Sequence, residues 1–123
     1  MGKTILIIED NEQNLYLMRF LLEKNGFNVL EAKDGKQGVI TARQTKPDTI
    51  LLDIQLPEMD GYAVAKELRK DTELDNIAII AVTSYAMVGD REKALESGAD
   101  GYIEKPINPE TFVEQIKKYM RAG

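Results

Sequence analysis

Three continuous apolar, β-branched runs, Thr4 to Ile8, Thr49 to Ile54 and Ile77 to Val82, constrain this chain more than any other feature. A strand with one wet face alternates apolar and polar residues, whereas these runs stay apolar at consecutive positions. Both of their faces must therefore be covered. A parallel sheet with helices on both sides supplies that cover. Two weaker runs, Val29 to Ala32 and Gly101 to Glu104, suit edge positions. Placing the strong first, third and fourth runs inside and the weak second and fifth outside predicts a five-stranded parallel sheet in the order 2-1-3-4-5.

Helical segments with readable ends lie between the runs. Asn11 caps the first, and Asn25-Gly26 stops it. The second opens at Asp34-Gly35 and ends by Lys46, because Pro47 disfavours helical geometry in the residue before it. Asp60-Gly61 opens the third, and the fourth runs from about Gly89 to Ser97 with Gly98 as its stop. Asn108-Pro109-Glu110 predicts the start of the last, with a cap, a proline in the first turn and an acid beside it. The expectation is a doubly wound α/β, flavodoxin-like (βα)5 fold. No repeat, low-complexity tract or linker interrupts the 123 residues, so one domain over residues 1–123 with no output domain is expected.

Composition narrows the chemistry. Lys and Arg number 16 against 21 Asp and Glu, a net charge of −5, and the chain has neither Cys nor His. Disulfide staples, thiolate zinc sites, Cys nucleophiles and any mechanism that uses the protein's own imidazole are excluded. The acidic balance and the lack of a Lys/Arg cluster argue against a nucleic-acid surface. Apolar runs fall well short of a membrane span and no signal sequence opens the chain, so no membrane insertion and a cytoplasmic location are expected.

In such a sheet, ligands bind beyond the carboxyl ends of the strands. The residues ending the runs are Glu9-Asp10, Asp53, Thr83 and Lys105. Alone, Glu9-Asp10 reads equally well as an acidic first turn of a helix. Asp53 is harder to dismiss, because it follows Ile50-Leu51-Leu52, where an uncompensated charge is costly to desolvate. Two carboxylates about 5 Å apart repel by roughly 3 kcal/mol at an effective dielectric of about 20, so three converging acids call for a cation. All-oxygen ligands suit Mg²⁺. Lys105 and Thr83, unremarkable singly, could on that rim bind a phosphoryl oxygen and donate to an oxyanion. Nucleophilic carboxylate, metal site, cation and hydroxyl are the parts for phosphoryl transfer to an aspartate.

These residues, with Leu56-Pro57-Glu58-Met59-Asp60-Gly61 and Gly98-Ala99-Asp100-Gly101-Tyr102-Ile103-Glu104-Lys105-Pro106, closely resemble the receiver domain of two-component response regulators over essentially the whole chain. The resemblance implies that Asp53 is the phosphoacceptor. It implies that Asp10, Asp53 and the backbone carbonyl of Gln55 hold Mg²⁺, with Glu9 acting through water. Lys105 would contact the phosphoryl group, Lys105-Pro106 would be a cis peptide, and Thr83 and Tyr102 would form a switch pair. Gln55 and Tyr85 would flank the nucleophile. Ser84 stands where many relatives carry Ala and is small enough to leave access open. A histidine kinase or histidine phosphotransfer protein would be the phosphodonor, and a downstream protein target would read the face with Met87, Val88 and Tyr102. Such a protein is a switch that phosphorylates and dephosphorylates itself, not an enzyme turning over an external substrate. With Met1 three residues before the first run, a stand-alone regulator is slightly favoured over a receiver excised from a longer regulator or hybrid kinase.

Helix one carries a second clue. Seven of the eight residues from Leu15 to Leu22 are apolar, broken only by Arg19. At about 100° per residue, Leu15, Leu17, Met18, Leu21 and Leu22 share a broad face and Tyr16 and Phe20 project elsewhere. The two rings either lap a neighbouring helix or dock a partner, and the resemblance favours docking of the phosphodonor. Rival readings fit less well. A flavin or nucleotide carrier would need a glycine-rich phosphate loop where Glu9-Asp10-Asn11-Glu12 stands. A pseudo-receiver scaffold, never phosphorylated, would lack part of the acid set or the lysine. An aspartate-nucleophile phosphatase would carry an acid at the position of Gln55.

Overall fold

A computed structural model describes residues 3–56, 59–84 and 89–120. Five parallel strands, β1 (Thr4–Ile8), β2 (Asn28–Ala32), β3 (Thr49–Asp53), β4 (Ala78–Thr83) and β5 (Gly101–Glu104), stand in the order β2-β1-β3-β4-β5. Between and after them run α1 (Glu12–Lys24), α2 (Gly35–Thr45), α3 (Gly61–Arg69), α4 (Asp90–Ser97) and α5 (Phe112–Tyr119). The predicted order holds because burial follows the runs: β3 and β4 are buried at every position, while β2 and β5 are partly open.

Successive residues of each inner strand feed opposite layers, as the pleat requires. Leu6, Ile8, Ile50, Leu52 and Ile79 pack with Val39, Ala42, Val64 and Leu68 under α2 and α3. Ile5, Ile7, Leu51, Ile80 and Val82 pack with Leu15, Met18 and Leu22 of α1 and Phe112 and Ile116 of α5. Each such aliphatic side chain contributes about 1.5–3 kcal/mol by leaving water, which makes the two layers the main source of stability.

Three helix starts have the predicted caps. Asn11 accepts from the Asn14 amide at 2.9 Å, Asp34 from Gln37 at 2.8 Å and Asp60 from Ala63 at 2.8 Å. Gly98, at φ 114°, ends α4 in the left-handed region, as its position after Ser97 predicts.

Several boundaries differ from expectation. β3 stops at Asp53, not Ile54, and β4 runs from Ala78 to Thr83, one residue later than its apolar run. Residues Thr72–Leu74 form a 3-10 turn with no predicted counterpart. α5 begins at Phe112, not at Asn108-Pro109-Glu110. The Asn108 side chain accepts from the Glu110 amide at 3.0 Å, two residues on, and so closes an Asx turn instead of capping a helix.

On α1, Leu15, Met18, Leu21 and Leu22 are buried and Leu17 lies at the margin of the core. Tyr16 and Phe20 are 71% and 51% exposed and stack on each other, centroids 6.4 Å apart and planes 19° apart. Among the described residues no neighbouring helix covers them. Among the described residues no helix is long and apolar enough to cross a membrane.

Candidate functional site

Because all five strands run the same way, their carboxyl ends open onto one rim. Two backbone bonds carry the ladders just past the strand ends: Glu9 donates to the Ala32 carbonyl at 3.0 Å, and Lys105 to that of Thr83 at 2.7 Å. The side chains of Glu9 and Lys105 are thus aimed by the sheet itself. Asp53 is the last residue of β3, and α3 begins hard against it. A Cβ on Gly61 would sit 2.5 Å from the Asp53 carbonyl oxygen and from the Ile54 Cα, so the opening residue of α3 must be glycine.

On this rim the Glu9, Asp10 and Asp53 carboxylates each offer an oxygen within 4.8 Å of the others. Lys105 Nζ lies 2.7 Å from Glu9 Oε1 and 3.5 Å from Asp53 Oδ2. Glu9 and Asp53 are buried, as is the Lys105 side chain, while Asp10 is exposed. Backbone amides hold the remaining oxygens: Asn11 N donates to Glu9 Oε2 at 3.1 Å and Gln55 N to Asp53 Oδ1 at 3.0 Å. These two amides carry no side-chain signature, and the sequence reading assigned neither.

Three carboxylates therefore face one ammonium, and the imbalance shows in Asp53. Burial, chiefly, and then a hydrogen bond to Glu9 that only the protonated acid can donate, push its carboxyl from 3.8 up to about 7. The Gln55 amide and Lys105 oppose that rise without cancelling it. A hard divalent cation would offset both causes by favouring the charged carboxylate. The donor set is all oxygen, partly open to solvent through Asp10, and short of positive charge, so the chemistry of the residues fits such an ion.

Thr83 is buried at the end of β4. The register pairs Thr83 with Glu104 and Ala81 with Tyr102, so Tyr102 lies on the same sheet face as Thr83, one pleat back. Tyr102 is half-buried against the α2–α3 layer. Burial, then Asp90 at the start of α4 and Glu104, raise its phenol above the ordinary value. Beside it, Lys93 Nζ sits 4.6 Å above the ring of Tyr62, a tie between α4 and α3 that periodicity could not reveal. Ser84 is exposed, Gln55 is half-buried, and the Lys105-Pro106 peptide is cis. Pro57, Glu58, Tyr85, Met87 and Val88, singled out in the sequence, lie outside the described residues.

Comparison with known proteins agrees with the fold. The family model of the response regulator receiver domain matches residues 5–117. A polar-differentiation response regulator DivK of Brucella anthropi is 45% identical over 120 residues, covering 98% of both chains. Among solved structures, the receiver domain of a Pseudomonas aeruginosa sensor histidine kinase, with a magnesium ion coordinated in its active-site cleft, is 34% identical. It superposes with a TM-score of 0.88 over 97% of this chain and 98% of its own. A CheY-like receiver domain protein of Methanospirillum hungatei is 32% identical, with a TM-score of 0.87 over 96% and 93% of the two chains. With a family match spanning residues 5–117, this chain belongs to the response regulator receiver family.

Proposed function

We propose that this receiver is a phosphorylation-dependent signalling switch in a two-component phosphorelay, with Asp53 as phosphoacceptor. The observation that carries this reading is a buried strand-end aspartate whose carboxylate lies among two further acids and within 3.5 Å of a buried lysine. In the proposed step an Asp53 oxygen attacks the phosphorus of a phosphohistidine on a histidine kinase or histidine phosphotransfer protein. A P–O bond forms as the P–N bond breaks, and the leaving imidazole takes a proton from solvent. Lys105 neutralises charge on the transferring oxygens. Asp10, Asp53 and the Gln55 carbonyl would hold Mg²⁺, with Glu9 acting through water, and the bound ion would supply further positive charge at the phosphoryl group. Water later hydrolyses the aspartyl phosphate, so no external substrate is turned over.

The signal leaves through Thr83 and Tyr102. New negative charge at Asp53 attracts the Thr83 hydroxyl, and Tyr102, on the same sheet face, follows into the space it leaves. Moving such a switch from 1:99 to 99:1 takes about 5.5 kcal/mol, which a charged hydrogen-bond set and a metal contact can supply together. The exposed Tyr16–Phe20 stack suits docking of the phosphodonor, and a downstream protein target reads the altered face. The 45% identity to a regulator named for polar differentiation supports the same kind of pathway, and the proposed setting is the cytoplasm.

Incubation with acetyl phosphate and Mg²⁺ should add one hydroxylamine-labile phosphoryl group by intact mass, and Asp53→Asn should abolish it. Labelling of that variant at the wild-type rate would refute the acceptor assignment.

A further inference from the structure

Away from the rim, α2 is chemically unlike the rest of this acidic protein. Its only charged residues are Lys36 and Arg43, and no acid lies between Gly35 and Thr45. One turn from each stands Ile40, an aliphatic side chain left 46% exposed. Lys36, Val39, Ile40 and Arg43 form one wall of a groove of about 450 Å³ whose other described residues are Met59, just before α3, and Glu67 on α3. The groove is built on a firmly held helix. A Cβ on Gly38 would meet the Ile8 side chain at 2.5 Å, and one on Gly35 would meet Val64 at 2.6 Å, so α2 lies tight against both β1 and α3.

The charges at its edges are loosely engaged. Arg43 reaches Glu67 only at 3.8 Å and Asp71 at 3.7 Å, both long for a guanidinium–carboxylate pair. Glu67, the one acid of the lining among the described residues, is itself held by Lys70 at 3.1 Å. Lys36 has no ion pair among the described residues. The lining thus combines an apolar floor with two cations able to take new partners, on a chain of net charge −5 that repels acidic segments elsewhere.

We propose that the α2–α3 groove docks an acidic amphipathic peptide segment of a protein partner. An aliphatic side chain of that segment seats on Val39, Ile40 and Met59, while its carboxylates meet Lys36 and Arg43. Charge complementarity selects this occupant over a membrane or a nucleic acid, either of which needs a denser cluster of cations than two. Apolar seating supplies affinity, and the flanking charges supply orientation and on-rate. The surface is separate from the rim and does not rest on Asp53 being phosphorylated.

The test is nuclear magnetic resonance titration of the ¹⁵N-labelled protein with a synthetic helical peptide bearing Leu at i and i+4 flanked by Glu. Saturable shifts should be confined to α2, Met59 and the face of α3 that carries Glu67. Ile40→Ser and the double variant Lys36→Glu/Arg43→Glu should each weaken binding at least tenfold, with unchanged circular dichroism and acetyl phosphate labelling. Three results would overturn the proposal: no saturable shift up to millimolar peptide, equal binding of a peptide with Lys in place of Glu, or the same shifts caused by phosphatidylglycerol vesicles and not by the peptide.

Discussion

Two networks of buried or half-buried charge sit at opposite ends of the sheet, and they are balanced in opposite ways. At the amino-terminal edge of β4, Arg69 donates to the carbonyls of Gly98 at 2.9 Å, Leu74 at 3.0 Å and Ile77 at 2.9 Å, and to Asp100 Oδ2 at 2.9 Å. Asp100 Oδ2 also accepts the Ile79 amide at 2.9 Å. Here the cation is paired with an acid, and three more of its N–H bonds are directed at backbone carbonyls. At the carboxyl-terminal edge, Lys105 meets Glu9 at 2.7 Å and Asp53 at 3.5 Å while Asp10 stands beside them, and burial first, then Glu9, raises the carboxyl of Asp53 to about 7. A network satisfied from within the fold holds loops and helix ends in place. One short of positive charge is completed only from outside, which is what a site for a cation and a phosphoryl group requires.

The largest effect should come from breaking the balanced network. Arg69→Ala leaves three backbone carbonyls and the Asp100 carboxylate without their shared donor; breaking a fully buried pair on one side costs about 3–5 kcal/mol, and this half-buried one should lose somewhat less. Against a typical total of about 5–15 kcal/mol, this should show as a large drop in the urea midpoint. Arg69→Lys should recover little, since an ammonium cannot span four acceptors at once. The fraction still folded should label at Asp53 as wild type does. A variant that kept its stability but lost labelling would invert the roles assigned to the two ends.

The unbalanced network should behave in the opposite sense, with stability and function pulling apart. Asp53 has a folded pKa of about 7, above its unbound value of 3.8. Between those values the folded state holds a proton that the unfolded state has released, so stability of the metal-free protein should fall as pH rises from about 4 to 7 and then level off. Asp53→Asn removes the group, flattens that profile and should melt higher than wild type near pH 8, while the two converge near pH 4. Mg²⁺ should reverse the ranking: a ligand at a hundred times its Kd stabilises by about 2.7 kcal/mol, and most of this gain requires the ionised Asp53. Thermal melts of both proteins across pH, with and without Mg²⁺, test the sign at once. A wild-type profile that rises through neutral pH without metal would contradict the imbalance.

How much of this was legible in the sequence depends on which atoms make the contact. The strand order and the rim residues could be read because they rest on side-chain chemistry, the continuous runs such as Ile50-Leu51-Leu52 and the acids and lysine that end them. The Arg69 network could not, since three of its four acceptors are backbone carbonyls, and the motif around Asp100 hinted at no partner. The burial that chiefly raises the Asp53 pKa was foreshadowed by its place after Ile50-Leu51-Leu52, but the Glu9 hydrogen bond that adds to it was not, as it turns on which acid approaches which carboxylate oxygen. At α5 the sequence predicts Asn108 as a cap, and its side chain closes a local Asx turn instead. The Tyr16–Phe20 pair was ambiguous for another reason: spacing places the rings together but does not say whether a neighbour lies over them.

Asn11 joins the two kinds of bond and gives the smallest and most specific test. Its side chain caps α1 through the Asn14 amide at 2.9 Å, while its own backbone amide donates to Glu9 Oε2 at 3.1 Å. Asn11→Ala deletes the first and keeps the second, so it should lower stability by about 1 kcal/mol, the usual worth of an N-cap. If the rim is positioned by the backbone, Mg²⁺ affinity and the labelling rate with acetyl phosphate should stay within twofold of wild type. Asn11→Gly separates the two further, because glycine restores most of the cap at a cost of only a few tenths of a kcal/mol yet loosens the backbone that carries the Glu9 contact. A loss of Mg²⁺ affinity in the glycine variant, with stability close to wild type, would place the aim of Glu9 in the main chain of residues 9–11; the same loss in the alanine variant would place it in the cap.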